Sequence, residues 1–184
     1  MIIKVFKKLK QNQQFKNLRL VIVPRKPERF NEVADLITNS GFALTRYSKL
    51  KSGEQTEEQN KQTVILGDTM GDLRKFYSLA SVVFVGRSLV PMGGSDMMES
   101  AAMGKCTIFG PHTFNFRETV KDLLNANGAI KVKDENELCE TLKKCLENPQ
   151  FAFQIASAGQ QVISNNKGAT QKSISHILSL LPKT

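Results

Sequence analysis

Four short apolar runs, each halted by proline or glycine, govern what this chain can fold into: LRLVIV before Pro24, TVIL before Gly67, VVFV before Gly86 and CTIF before Gly110. A strand covered on both faces reads as a continuous apolar run, whereas a covering helix shows a period of about 3.6 residues. The stretches between the runs carry that helical period. Residues 2–14 are amphipathic, with Ile2, Val5, Phe6 and Leu9 on one face. Pro27 suits the first turn of a helix that Gly41 terminates. Further helices are predicted over 72–79, 96–103 and 116–125, strands over 42–47 and 129–132, and two or three closing helices over 135–181. Residues 49–62 are polar and aperiodic and read as a surface loop.

Strand and helix keep alternating, which predicts an α/β fold: a Rossmann-like, mostly parallel sheet with helices on both faces. A chain of 184 residues supports one such domain, spanning 1–184. Ligands of these sheets lie outside the carboxyl ends of the strands. That rule selects loops 24–25, 68–72, 86–99 and 111–116 and gathers them around one cleft.

Composition narrows the function classes. No apolar stretch reaches the roughly 20 residues that span a bilayer, and lysines interrupt the apolar start, so neither a membrane span nor a signal peptide is expected. Cys106, Cys139 and Cys145 are odd in number and lack CxxC spacing, which points to reduced thiols in a cytoplasmic protein and to no metal site. A formal net charge of +9 favours anionic partners, although Lys4, Lys7, Lys8 and Lys10 read equally as a solvated helix face. No basic run is interleaved with aromatics, so nucleic acid is not expected as a partner.

Arg25 leaves a strand end in a loop that Pro24 and Pro27 stiffen, so its guanidinium suits bidentate contact with a phosphate. A carboxylate at the loop mouth is the plainer partner. In the loop 67–72, Gly71 allows backbone approach to a ligand, while Asp68 or Thr69 serves equally well as a helix cap. The loop 86–99 is the most informative. Amides of Gly93, Gly94 and Ser95 suit a phosphate, and Glu99 suits the vicinal hydroxyls of a ribose. Its plain reading is an ordinary cap by Ser95. His112 is either an acid or charge partner at a phosphate or a structural hydrogen-bonder, and Phe114 and Phe116 read as core.

Taken in order, VPRKPERF, VILGDTMGDLRKFYSLASVVFVG, SLVPMGG, ESAAMGK and GPHTFNFRE resemble the C-terminal half of the bacterial 3-deoxy-D-manno-octulosonic acid (Kdo) transferases. The resemblance runs to about residue 181. It implies one half of a GT-B glycosyltransferase, in which two Rossmann-like domains flank the active site. It further implies transfer of Kdo from CMP-Kdo to a lipid A precursor at the cytoplasmic face of the inner membrane, an anionic surface. No cofactor is implied. The family's CMP contacts map onto Pro24 and Arg25, onto Met70, Gly71 and Asp72, and onto Asp96, Met97, Met98 and Glu99. The implied roles are phosphate for Arg25, nucleotide for the Met70-Gly71 loop and ribose for Glu99.

The chain departs from the pattern at two sites. Where the family shows GG-H-N-x-x-E, this chain has Gly93-Gly94-Ser95-Asp96-Met97-Met98-Glu99, which puts a carboxylate near the expected phosphate. At about 5 Å and an effective dielectric near 20, like charges repel by roughly 3 kcal/mol, or up to about two orders of magnitude in affinity. Gly86-Arg87 stands where the family has Gly-Gly, and Arg87 is expected to offset that charge. The resemblance also places the general base in an N-terminal acceptor domain that this chain lacks, so no catalytic residue is expected here. The strand that should precede the first helix is missing too. Its loss exposes a sheet edge, which predicts a partner strand, a homo-oligomer through that edge, or a rearranged N-terminus. Two rival readings are a degenerate GT-B fragment acting as a binding module and a GT-B transferase that uses a UDP-sugar.

Overall fold

The computed structural model describes residues 1–54, 63–166 and 169–180. Helix α1 (Ile2–Lys10) leads into strand β1 (Leu20–Ile22), then α2 (Phe30–Asn39), β2 (Ala43–Arg46), α3 (Tyr47–Lys51), β3 (Thr63–Leu66), α4 (Leu73–Leu79) and β4 (Val82–Phe84). The alternation continues with α5 (Met98–Ala102), β5 (Cys106–Phe109), α6 (Arg117–Asn125) and β6 (Ile130–Lys131), and closes with α7 (Glu135–Glu147), α8 (Pro149–Asn165) and α9 (Ala169–Leu180). Parallel strands with helices on both sides establish the α/β, Rossmann-like class. The contacts divide the chain into two compact units, Met1–Val83 with Val132–Pro149, and Phe84–Lys131 with Gln150–Thr184.

The first unit holds a three-stranded sheet in the order β1-β3-β2, with both pairs parallel. Its core joins Ile3 and Phe6 of α1 to Val33, Ala34 and Ile37 of α2 and to Val64 and Leu66 of β3. These residues recur at helical spacing on α1 and α2, so each helix buries one stripe and leaves its charged face in water. Phe6 meets Phe42 at 5.2 Å between ring centroids. Lys7, Lys8 and Lys10 lie in the last turn of α1, where positive charge complements the helix dipole.

A second sheet has the order β4-β5-β6; the second unit holds β5, β6 and the last residue of β4, and β5 and β6 run parallel. Strand β5 is buried along its whole length, as its unbroken CTIF run requires. Its one hydroxyl is satisfied, since Thr107 Oγ1 lies 3.0 Å from Ser100 Oγ and 2.9 Å from the Lys105 carbonyl, either of which can take its single proton.

Several expected boundaries move, each for a local reason. The first helix stops at Lys10 rather than near residue 14, because the Asn12 side chain accepts the Gln14 N–H and starts a 3-10 turn over Gln13–Phe15. Part of the expected loop 49–62 is α3; Tyr47 packs edge-on against Phe76 at 4.8 Å, and Ser48 is tied to Asp68. Residues 55–62 of that loop lie outside the described residues. Among the described residues, strand β1 pairs with β3 alone and β4 with β5 alone. At the centre of β1, Val21 is 38% exposed although its neighbours are half-buried.

Candidate functional site

In the first unit, β1 and β3 lie side by side in register, so the segments after them emerge together. The Gly67 N–H donates to the Ile22 carbonyl at 2.8 Å. A Cβ on Gly67 would lie 2.9 Å from Val23 Cγ2 and 2.8 Å from the Phe76 ring, so glycine is required for the two strand ends to close up. Pro24 and Arg25 thus neighbour the segment 68–72.

The carboxylates of that segment do internal work. Asp68 accepts the Ser48 N–H and hydroxyl, both at 2.8 Å, and Arg46 at 3.3 Å. Burial alone would raise its pKa, but these donors hold it below the usual carboxylate range. Asp68 is therefore a clamp on the start of α3 rather than a cap of α4. Asp72 precedes α4 and is buried; Lys75 at 2.8 Å, Lys51 at 3.0 Å and the Thr69 hydroxyl at 2.8 Å hold its carboxyl well below the ordinary value. Thr69 is a donor to Asp72 and not a cap.

Two side chains here remain exposed. Arg25 is exposed and makes no ion pair or hydrogen bond among the described residues. The carboxylate partner that its sequence context allowed is not there. Met70 is 67% exposed beside Gly71, whose φ of +82° is the left-handed conformation that glycine tolerates.

In the second unit the segments after β4 and β5 are packed into one body. Gly93 and Gly94 both have positive φ and are buried. A Cβ on Gly93 would lie 2.2 Å from Asn115 Nδ2 and 2.8 Å from the Phe114 ring, so the two segments touch there. Gly94 faces the His112 carbonyl. Arg87 adopts φ +63°, an uncommon conformation for a residue with a Cβ, at the position where the resembled family has glycine. Its Nη2 donates to the Met92 carbonyl at 3.0 Å, its carbonyl accepts the Gly94 N–H at 3.1 Å, and its buried Nε has no partner among the described residues. Arg87 thereby braces the loop it opens.

At the start of α5, Asp96 Oδ1 accepts the Met98 N–H at 2.7 Å. Ser95 is not the cap: the N-cap position is Met97, and Asp96, one residue before it, holds the first helical amide. Met97 is fully buried, so its side chain belongs to the core and only its backbone can meet a ligand. Met98 and Glu99 are exposed, and the Glu99 carboxylate makes no bond among the described residues. Phe114, expected in the core, is 51% exposed on a 3-10 turn, while Phe116 is half-buried.

One residue escaped the sequence reading. Ser88 is fully buried and bonds the two segments together. Among the described residues there is no cluster of His, Cys, Asp and Glu suited to a metal ion, and the three cysteines are buried and form no disulfide with one another. No described helix is long and apolar enough to cross a membrane.

The model of the family described as glycosyl transferases group 1 matches residues 1–162. The chain is 38% identical over 160 residues to a 3-deoxy-D-manno-octulosonic acid transferase of Haemophilus influenzae, covering 86% of this chain and 36% of that protein. It is 32% identical over 155 residues to the enzyme of the same name from Bordetella pertussis, covering 84% and 35%. The chain thus spans about a third of the length of these relatives. Among solved structures it is similar to the C-terminal CMP-Kdo binding domain of WaaA from Acinetobacter baumannii, with a TM-score of 0.69 and 27% identity over 88% of this chain and 97% of that one. A sucrose-phosphate synthase from Thermosynechococcus elongatus shares the fold at a TM-score of 0.54 and 14% identity, covering 96% of this chain and 50% of that one.

Proposed function

This chain belongs to the group 1 glycosyltransferases, and from that premise we propose that it is the donor-binding part of a Kdo transferase, holding CMP-Kdo for transfer to a lipid A precursor. One observation carries the reading. Asp68 and Asp72 are consumed internally, whereas the charged ends of Arg25 and Glu99 are exposed and uncommitted among the described residues. An unpaired guanidinium is the group that grips a phosphate, and an unpaired carboxylate is the group that accepts from two ribose hydroxyls. Similarity to a solved CMP-Kdo binding domain supports the same assignment.

In this reading Arg25 holds the phosphate and Met70, Gly71 and the backbone near Asp72 line the nucleotide. Gly93, Gly94, Ser95 and Asp96 border the phosphate, Met97 and Met98 contribute backbone and contact, and Glu99 takes the ribose. Arg87 and His112 are further donors in reach of the departing phosphate's charge. In the same reading, the acceptor, its general base and the contact with the anionic cytoplasmic face of the inner membrane fall to a part outside the matched third of the relatives' length.

Calorimetric titration with CMP tests the donor site. The wild-type chain is expected to bind, and Arg25→Ala and Glu99→Ala are each expected to lose about 1.5–3 kcal/mol, roughly ten- to a hundredfold in affinity. Absence of heat at millimolar CMP would favour a binding module without donor affinity, a reading to which the Asp96 carboxylate lends weight. Tighter binding of UDP than CMP would favour a UDP-sugar enzyme.

The edge of β1 supports a second, smaller proposal, that a strand of another copy pairs there. Val21 presents an exposed apolar side chain on a strand with one partner, and such edges invite pairing. Light scattering is expected to give a mass above that of one chain, and Val21→Lys to restore the single-chain mass. A single-chain mass for the wild type at high protein concentration would end this idea.

A further inference from the structure

We propose that Ser88 is a positioning residue that sets the spacing of the two segments forming the second unit's share of the donor site; the proposal rests on the donor-binding reading above. Ser88 is fully buried. Its hydroxyl donates to the Val85 carbonyl at 2.6 Å and accepts the Gly110 N–H at 2.8 Å. Its carbonyl accepts the His112 N–H at 2.9 Å. One residue therefore fastens the end of β4 to the first three residues after β5.

The closeness of this joint is enforced from the other side. A Cβ on Gly110 would lie 2.3 Å from the Ser88 carbonyl oxygen, so the two backbones meet at a distance only glycine permits. From the joint, both segments run on into the proposed site. Arg87 and Gly94 are tied by a backbone bond, and Gly93 rests on Asn115 and Phe114. Without the hydroxyl, the Gly110 N–H would remain buried with no acceptor, and water or a shifted backbone would have to satisfy it. Either response changes how Gly93 and Gly94 are presented without touching the ligand directly.

The test compares wild type, Ser88→Ala and Val120→Ala, the last a buried truncation on α6 away from these segments. CMP affinity and amide hydrogen exchange are measured at a temperature where circular dichroism shows all three folded. Ser88→Ala is expected to bind CMP at least about tenfold more weakly and to lose protection at Gly110 and His112. Val120→Ala should keep both properties while losing a comparable amount of thermal stability. If Ser88→Ala does not fold, Ser88→Cys, which keeps the shape but weakens both hydrogen bonds, takes its place. Equal CMP affinity in wild type and Ser88→Ala, or an equal loss in Val120→Ala, overturns the proposal. If wild type itself does not bind CMP, the donor reading is what fails; exchange at Gly110 and His112 then decides alone, unchanged protection in Ser88→Ala refuting the joint.

Discussion

Gly128→Ala is expected to destabilise the second unit by about 3 kcal/mol, lowering the melting temperature by roughly 6–12 °C. A Cβ at position 128 would lie 2.6 Å from Gly159 Cα and 2.7 Å from Gly159 N. These are backbone atoms of α8, so no side chain can swing aside; the helix itself must move. The turn before it is equally constrained, because the Gly128 N–H donates to the Leu123 carbonyl at 2.7 Å and Asn127 holds φ +52°. On α8, Ala152, Ala156 and Gly159 form the buried stripe, and its small residues let the helix approach this closely. Gly159→Ala meets the Gly128 carbonyl oxygen at 2.3 Å but gains helix propensity of about 1 kcal/mol, so its net loss should be smaller. The two substitutions strain one contact, and the double variant should therefore cost less than their sum. Scanning calorimetry on the four proteins measures this; a shift below about 2 °C for Gly128→Ala would show that the helix yields freely.

The close contact at Gly128 also shows what a sequence conceals. The class of fold was legible because continuous apolar runs and helical stripes alternate, and each run is halted by a residue that cannot continue it. Loop positions followed from those stops. What one segment does to another did not follow. Ser88 carries no pattern of its own, and its importance arises from an amide 22 residues away. Phe114 is as apolar as any core residue, yet its turn backs onto Gly93 and turns the ring outward. Asp72 looked available to a nucleotide until Lys51 and Lys75, from two different helices, claimed its carboxylate. The strand pattern identifies the loops that carry Arg25 and Glu99, and each side chain is exposed and unbonded among the described residues; the ligand roles given to them are the proposal that the titration tests.

Asp96→Asn is the substitution with the largest expected gain in CMP affinity, about ten- to a hundredfold. The carboxylate now supports the start of α5 by accepting the Met98 N–H. Asparagine keeps an oxygen in that position and can accept the same bond, so the fold should survive with a change of about 1 kcal/mol or less. What disappears is a negative charge beside the proposed phosphate. At about 5 Å and an effective dielectric near 20, removing it relieves roughly 3 kcal/mol of repulsion in the absence of screening. Salt should therefore narrow the gap between the two proteins, as it screens the wild-type repulsion over a Debye length of about 10 Å at 0.1 M. Cytidine supplies the control, because it lacks the phosphate and should bind both proteins alike. The sign of the effect depends on where the phosphate sits. An equal affinity for CMP in both proteins at low salt, or a gain for cytidine as large as that for CMP, would place the phosphate away from Asp96 and remove the loop 86–99 from its contacts.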